Sequence, residues 1–179
     1  MAGLIDRGSF AYTDGASNTG FVNLIYDEDF DITWVGDGNF AQTTGYDGDG
    51  RMGWDAANTW AGGLAIGGFA DWRLPTALNN VSPFGPDFGL NVTGSEMGHL
   101  FYGELGGTAN QPISLSSDSD LALFPNLQDF FYWSGTEYSG LAYYAWYFDF
   151  YSGTQYAYDL FNSYYGLAVR SGDVAAVPE

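Results

Sequence analysis

The segment running from Tyr144 through Ala, Trp, Tyr, Phe, Asp and Phe to Tyr151 constrains this chain more than any other. Successive side chains of an extended strand point to opposite faces. Trp146, Phe148 and Phe150 therefore share one face, and Tyr147, Asp149 and Tyr151 share the other. The first face reads as core and the second as display. Ser152-Gly153 supplies a tight turn into a further strand from Gln155 to Phe161, with Phe131 to Gly135 before the pair and Tyr165 to Arg170 after it. The last third of the chain is thus all strand and turn.

The preceding part mixes both kinds of element. Phe21 to Val35 is rich in β-branched and aromatic residues and reads as a hairpin about an acidic turn at Asp27 to Asp29. Residues 36 to 50 have loop chemistry. Trp54, Ala57, Ala61 and Leu64 recur at helical spacing and predict a first helix over Gly53 to Ala65. Pro83 and Pro86 mark a loop from Asn79 to Asn91. Thr93, three residues before Glu96, forms a capping box for a second helix to about Leu105, with Met97, Leu100, Phe101 and Leu105 on its apolar face. Residues 108 to 128 read as loop. The order of hairpin, helix, helix and antiparallel strands is an α+β arrangement.

Charge narrows the partners. Asp and Glu number 22 against four Arg and no Lys, a net charge of -18 that repels phosphate backbones and anionic lipid. Nucleic acid and membrane surfaces are therefore disfavoured. With no Cys, disulfides, thiolate nucleophiles and Cys-based zinc sites are excluded. At 179 residues the chain is long enough for one domain with a sizeable core.

Several motifs in order carry a resemblance: Trp72-Arg73-Leu74-Pro75-Thr76, Glu96-Met97-Gly98-His99-Leu100-Phe101-Tyr102, Tyr132-Trp133-Ser134-Gly135-Thr136-Glu137-Tyr138, Ala145-Trp146 and Ala168-Val169-Arg170. Together they resemble the domain family typified by the C-terminal domain of the Legionella collagen-like adhesin, within the C-type-lectin-like superfamily. The resemblance covers about residues 4 to 173. It implies a C-type-lectin-like domain over residues 1–173, with paired terminal strands and a ligand face on the later strands. The closing Val177-Pro178-Glu179 resembles the start of a PEP-CTERM sorting signal, so residues 174–179 read as its remnant. That implies export to the surface of a Gram-negative cell or beyond it. The family's relatives that generate formylglycine use cysteines, which this chain lacks. The namesake adhesin's link to sulfated glycans does not carry over, because four Arg and no Lys make no cationic cleft.

Nine of the 14 tyrosines fall between Tyr138 and Tyr165, among Ser, Gly, Asn and Asp. Tyr supplies rigid contact area at low entropic cost and the small polar residues adapt around it, which is how antibody paratopes are composed. The candidate ligand-binding set is Tyr143, Tyr144, Tyr147, Asp149, Tyr151, Tyr156, Tyr158, Tyr164 and Tyr165. The ligand expected is a protein or glycan. The competing reading is that these rings form a second packing layer or a contact between copies in a self-associating matrix. The same alphabet between Leu141 and Tyr165, embedded among Ala145-Trp146, Gly153 and Ala168-Val169-Arg170, resembles the variable segment of proteins diversified by retroelements.

The remaining candidates have bland readings. Arg73 between Trp72 and Leu74 calls for a structural ion pair. His99, the single histidine, has no nucleophile elbow to serve, so no enzyme is expected. No cofactor is expected either, apart from calcium. Asp47 and Asp49 resemble the opening of an EF-hand loop, and Asp27-Glu28-Asp29 gathers similar oxygens. Arg51 and the missing twelfth-position Glu favour a solvated acidic loop instead.

Overall fold

A computed structural model describes residues 3–78, 85 and 87–175. The sorting-signal reading of Val177 to Glu179, and most of the Pro83 and Pro86 loop, lie outside these residues. The elements run β1 (Leu4–Thr13), β2 (Thr19–Asp27), β3 (Ile32–Val35), α1 (Phe40–Thr43), α2 (Trp54–Gly62), β4 (Ala65–Ile66), β5 (Gly89–Leu90) and α3 (Glu96–His99). A π-helical turn (Leu100–Glu104) continues α3, and two 3₁₀ turns (Ile113–Leu115 and Ser119–Leu123) follow. Then come β6 (Phe131–Glu137), β7 (Tyr144–Asp149), β8 (Thr154–Asp159), β9 (Tyr165–Gly166) and β10 (Val169–Ser171). The strands form two five-stranded sheets, ordered β10-β3-β2-β1-β4 and β5-β8-β7-β6-β9. Every pairing is antiparallel except β6 with β9. The chain is α+β.

The hairpin of β2 and β3 forms about an acidic turn as the sequence predicts. β1 is an addition. Its alternation is broken by a bulge between Asp6 and Ser9, where Gly8 takes φ +84°, and the broken period hides the strand from a pattern reading. The strand expected from Tyr165 to Arg170 splits in two, because buried Leu167 and Ala168 carry the chain from the second sheet into the first. β10 pairs with β3, so the first and last strands share a sheet without touching. The implied pairing of terminal strands is replaced by an ion pair from Arg7 to Asp173.

α2 forms where its apolar spacing places it and buries Ala57, Trp60 and Ala61. The second helix is capped differently from expectation. Ser95, not Thr93, is the N-cap, with its hydroxyl accepting from Gly98 N at 3.2 Å. The Glu96 carboxylate is drawn away to Arg73, from which it accepts at 2.9 and 2.8 Å, and to the backbone N–H of Thr76 at 2.7 Å. This is the partner that the position of Arg73 requires.

The second sheet is packed on both faces. Trp133 and Ala145 join α2, Trp72 and Leu74 in one apolar cluster. Tyr132, Phe148 and Phe150 join Met97, Leu100, Phe101 and Trp34 in another. Because β6 and β7 are the middle of this sandwich, apolar burial on both faces is what holds it. At the β7–β8 turn, Gly153 has φ +74°, and a Cβ there would run into the Tyr102 hydroxyl. Only glycine fits.

Candidate functional site

The nine residues of the aromatic segment divide by burial. Tyr143, Tyr151, Tyr156 and Tyr158 are exposed. Tyr144, Tyr147 and Tyr165 are partly covered, and Asp149 and Tyr164 are buried. Tyr147 therefore does not stand free on a display face. Its ring lies 5.0 Å from Phe131 and 5.3 Å from Tyr164, and burial drives its phenol pKa well above the ordinary value. Tyr164 stacks 4.4 Å from Trp133, and burial, with Tyr158 adding to it, pushes its pKa up to about 12. Asp149 turns into its own hairpin, accepting from Tyr151 N at 2.9 Å and the Ser152 hydroxyl at 2.6 Å. The physical cause is α2, which packs against β6 and β9 and roofs part of the face that alternation assigns to solvent.

What remains open gathers at one end of the ribbon. Tyr143, Leu160 and Phe161 meet Gly53, Trp54, Asp55 and Ala56 at the start of α2 around a cleft of about 410 Å³. Its lining is mainly apolar, with Asp55 the one charged member. Two other hollows of about 300 Å³, one within residues 106 to 117 and one beside Phe21 to Asn23, are lined mostly by polar atoms. Phe161 is 82% exposed and Tyr143 71%, so both rings stand free to meet a ligand. The rings of Tyr144 and Tyr158, on β7 and β8, lie 6.1 Å apart. Tyr151 sits in the turn at the far end of β7, outside this cleft.

The cleft is built on rigid backbone. Leu160 N donates to Tyr143 O at 3.0 Å, and Trp54 N donates to Leu160 O at 3.1 Å, so three separate segments are stitched together. Met52 and Tyr164 exchange a pair of backbone bonds just behind. Trp54 Nε1 donates to Ser134 O at 2.7 Å, which fixes the plane of its indole. Tyr143 holds φ +65°, a region that costs a bulky L-residue of order 1–3 kcal/mol and is met most often at functional sites.

The sequence pattern puts Trp54 on the apolar stripe of the first helix and does not single out Leu160 or Phe161. The signal for Phe161 was its position: a large apolar residue between Asp159 and Asn162, in a turn where nothing requires burial. Trp54 lies at the helix start, half covered by the core and half facing the cleft.

The acidic candidates separate. Asp47 Oδ1 accepts from Asp49 N and Gly50 N, and Asp49 holds Arg51 at 2.7 Å, so both carboxylates are engaged within their own loop. Arg51 thus supplies the counter-charge to Asp49 from within the loop. Asp27 instead is fully buried against His99, whose Nε2 lies 3.6 Å from Asp27 Oδ1, 3.0 Å from Glu104 Oε1 and 4.0 Å from Asp29 Oδ2. Burial disfavours the imidazolium, but Asp27, then Glu104 and Asp29, outweigh it and raise the His99 pKa. Burial raises the Glu104 carboxyl as well, assisted by the charge of Asp27 and opposed by His99.

Comparison with protein-family models, with curated proteins and with solved structures yields no match. Among the described residues no helix is long and apolar enough to cross a membrane.

Proposed function

We propose that this chain is a non-enzymatic ligand-binding module of the C-type-lectin-like kind, exported to the cell surface or beyond, that captures a protein or glycan ligand in its aromatic cleft. The observation that carries this reading is the cleft itself. It brings exposed Tyr143 and Phe161 beside Trp54 on a backbone already fixed by hydrogen bonds. A preformed site loses little freedom on binding, and flat rings exclude water over a sugar face or an apolar side chain. Asp55 and a net charge of -18 select against anionic ligands and favour neutral or basic ones.

In this reading the last third is diversified by a retroelement, and the division by burial supports it. Tyr143, Tyr151, Tyr156, Tyr158 and Phe161 are exposed and open to change, whereas Ala145, Trp146, Ala168 and Val169 are buried and must stay. The test is a screen of the wild-type chain against a glycan array and a displayed peptide library. A variant carrying Tyr143→Ala, Tyr158→Ala and Phe161→Ala should lose the hits while melting at an unchanged temperature. Hits retained by the variant reject the cleft as the site. A wild type that self-associates in sedimentation and captures nothing points to a matrix protein instead.

A further inference from the structure

The turn between β2 and β3 drives one carboxylate into the interior with no arginine beside it. Asp27 is 0% exposed; its Oδ1 accepts from Asp29 N at 3.1 Å and Phe30 N at 3.2 Å, while its Oδ2 has no hydrogen-bond partner among the described residues. Across from it, Glu104 is 7% exposed. His99 Nε2 lies between them, and although it is 3.0 Å from Glu104 Oε1, its N–H is not aligned on that oxygen and the buried nitrogen makes no hydrogen bond among the described residues. Buried polar atoms without partners are costly and call for an explanation. Two buried carboxylates facing one imidazole, with Asp29 at the rim, leave negative charge uncompensated.

No arginine can supply the balance. Each of the four is bound to a carboxylate elsewhere: Arg7 to Asp173, Arg51 to Asp49, Arg73 to Glu96 and Arg170 to Asp71. The backbone meanwhile converges these groups on purpose-built geometry. His99 closes α3 and Glu104 closes the π-helical turn, where Leu105 N donates to Leu100 O at 2.9 Å. In α-helical geometry residues five apart are rotated by about 140° from one another. The i→i+5 turn swings Glu104 back over His99, and such turns recur at functional sites.

We propose that Asp27, His99 and Glu104 form a binding site for a divalent transition cation, with zinc the best fit and Asp29 at its solvent-facing edge. One ligand atom from each of the three residues lies within 4.8 Å of the others. The separations from His99 Nε2 of 3.0 Å to Glu104 and 3.6 Å to Asp27 bracket the spacing of about 3.3 Å between donors held tetrahedrally at zinc bond lengths. Imidazole with carboxylates selects zinc and its neighbours over calcium, which takes oxygen ligands alone. The cation neutralises the buried charge and gives His99 Nε2 its missing partner. It also ties the β2–β3 turn to the second helix. This site is independent of the aromatic cleft and stands whether or not that cleft binds ligand.

The test uses the untagged full chain, stripped with chelator and titrated with Zn²⁺ alone. His99 is the only histidine, so the single imidazole Hε1 resonance reports the site without assignment. It should shift to saturation at one equivalent, with a rise in melting temperature that grows with free zinc. His99→Gln and Glu104→Gln should each weaken binding by more than the roughly 10–100-fold that loss of an outer-shell partner costs. Asp27→Asn, which keeps the Oδ1 acceptor for the turn, should do the same, and Asp29→Asn should cost less. An imidazole resonance unmoved at saturating zinc overturns the proposal, even if heat is released, since that heat then comes from exposed carboxylates. Undiminished affinity in His99→Gln overturns it equally. The wild-type resonance decides the matter even if a variant fails to fold.

Discussion

Trp133, Tyr147 and Tyr156 stand in one row across β6, β7 and β8, paired in register and so on the same face. Their fates differ. Trp133 is 0% exposed, Tyr147 is partly covered, and Tyr156 is 45% exposed. Alternation along a strand assigns a residue to a face, but distance from the helix laid over that face decides whether it meets water. α2 packs against β6, where Trp133 joins its cluster; Tyr147 on β7 meets that cluster only in part, and Tyr156 on β8 lies outside it. The same phenol is thus packing material in one column and display in the next.

The contrast can be broken by truncation. Trp133→Ala removes a sealed ring and the hydrogen bond that its Nε1 donates to the Met52 carbonyl at 2.9 Å. It should cost about 3–5 kcal/mol, read as a lower urea midpoint at unchanged m-value. Tyr147→Ala, partly covered, should fall between this and a surface substitution, at about 1.5–2 kcal/mol. A loss below about 0.5 kcal/mol would restore Tyr147 to the display face.

Alkali sharpens the same division. The folded pKa of Tyr164 is raised, so the neutral phenol is the form that the fold prefers, and the stability that this preference contributes is intact below the ordinary tyrosine value. It is lost as pH climbs from about 10 toward about 12. Tyrosinate absorbance should therefore show a late-ionising fraction that includes Tyr132, Tyr147 and Tyr164, and unfolding should accompany it. Complete ionisation near the ordinary value in the folded state would contradict the packing described. The smallest effect belongs to the open column. Tyr156→Ser and Tyr151→Ser should each change stability by less than about 0.5 kcal/mol in urea titration.

The acidic loops repeat the lesson. Asp47-Gly48-Asp49 and Asp27-Glu28-Asp29 are similar in composition. The first is closed by Arg51, two residues beyond Asp49, so its neutralisation is visible in the sequence. The second is the turn of a hairpin, and the last residue of β2, Asp27, is carried inward against His99, 72 residues further along the chain. No local pattern signals that meeting. The aromatic cleft was half legible for the same reason. Tyr143 stood out by residue type, whereas Trp54 and Phe161 joined it only through the bonds of Leu160 to Tyr143 and Trp54.

The sequence by itself determined the local elements: the β2–β3 hairpin, α2 and the ribbon of β6, β7 and β8, since periodicity and turn chemistry act over a few residues. It also excluded every function that needs thiols or clustered cations, because those groups are not in the chain. Tertiary structure decided which rings are sealed, which carboxylates lack a counter-ion and which side chains line the cleft. Burial and electrostatics depend on what crosses overhead, and here the covering pieces, α2 and the π-helical turn, come from distant parts of the chain.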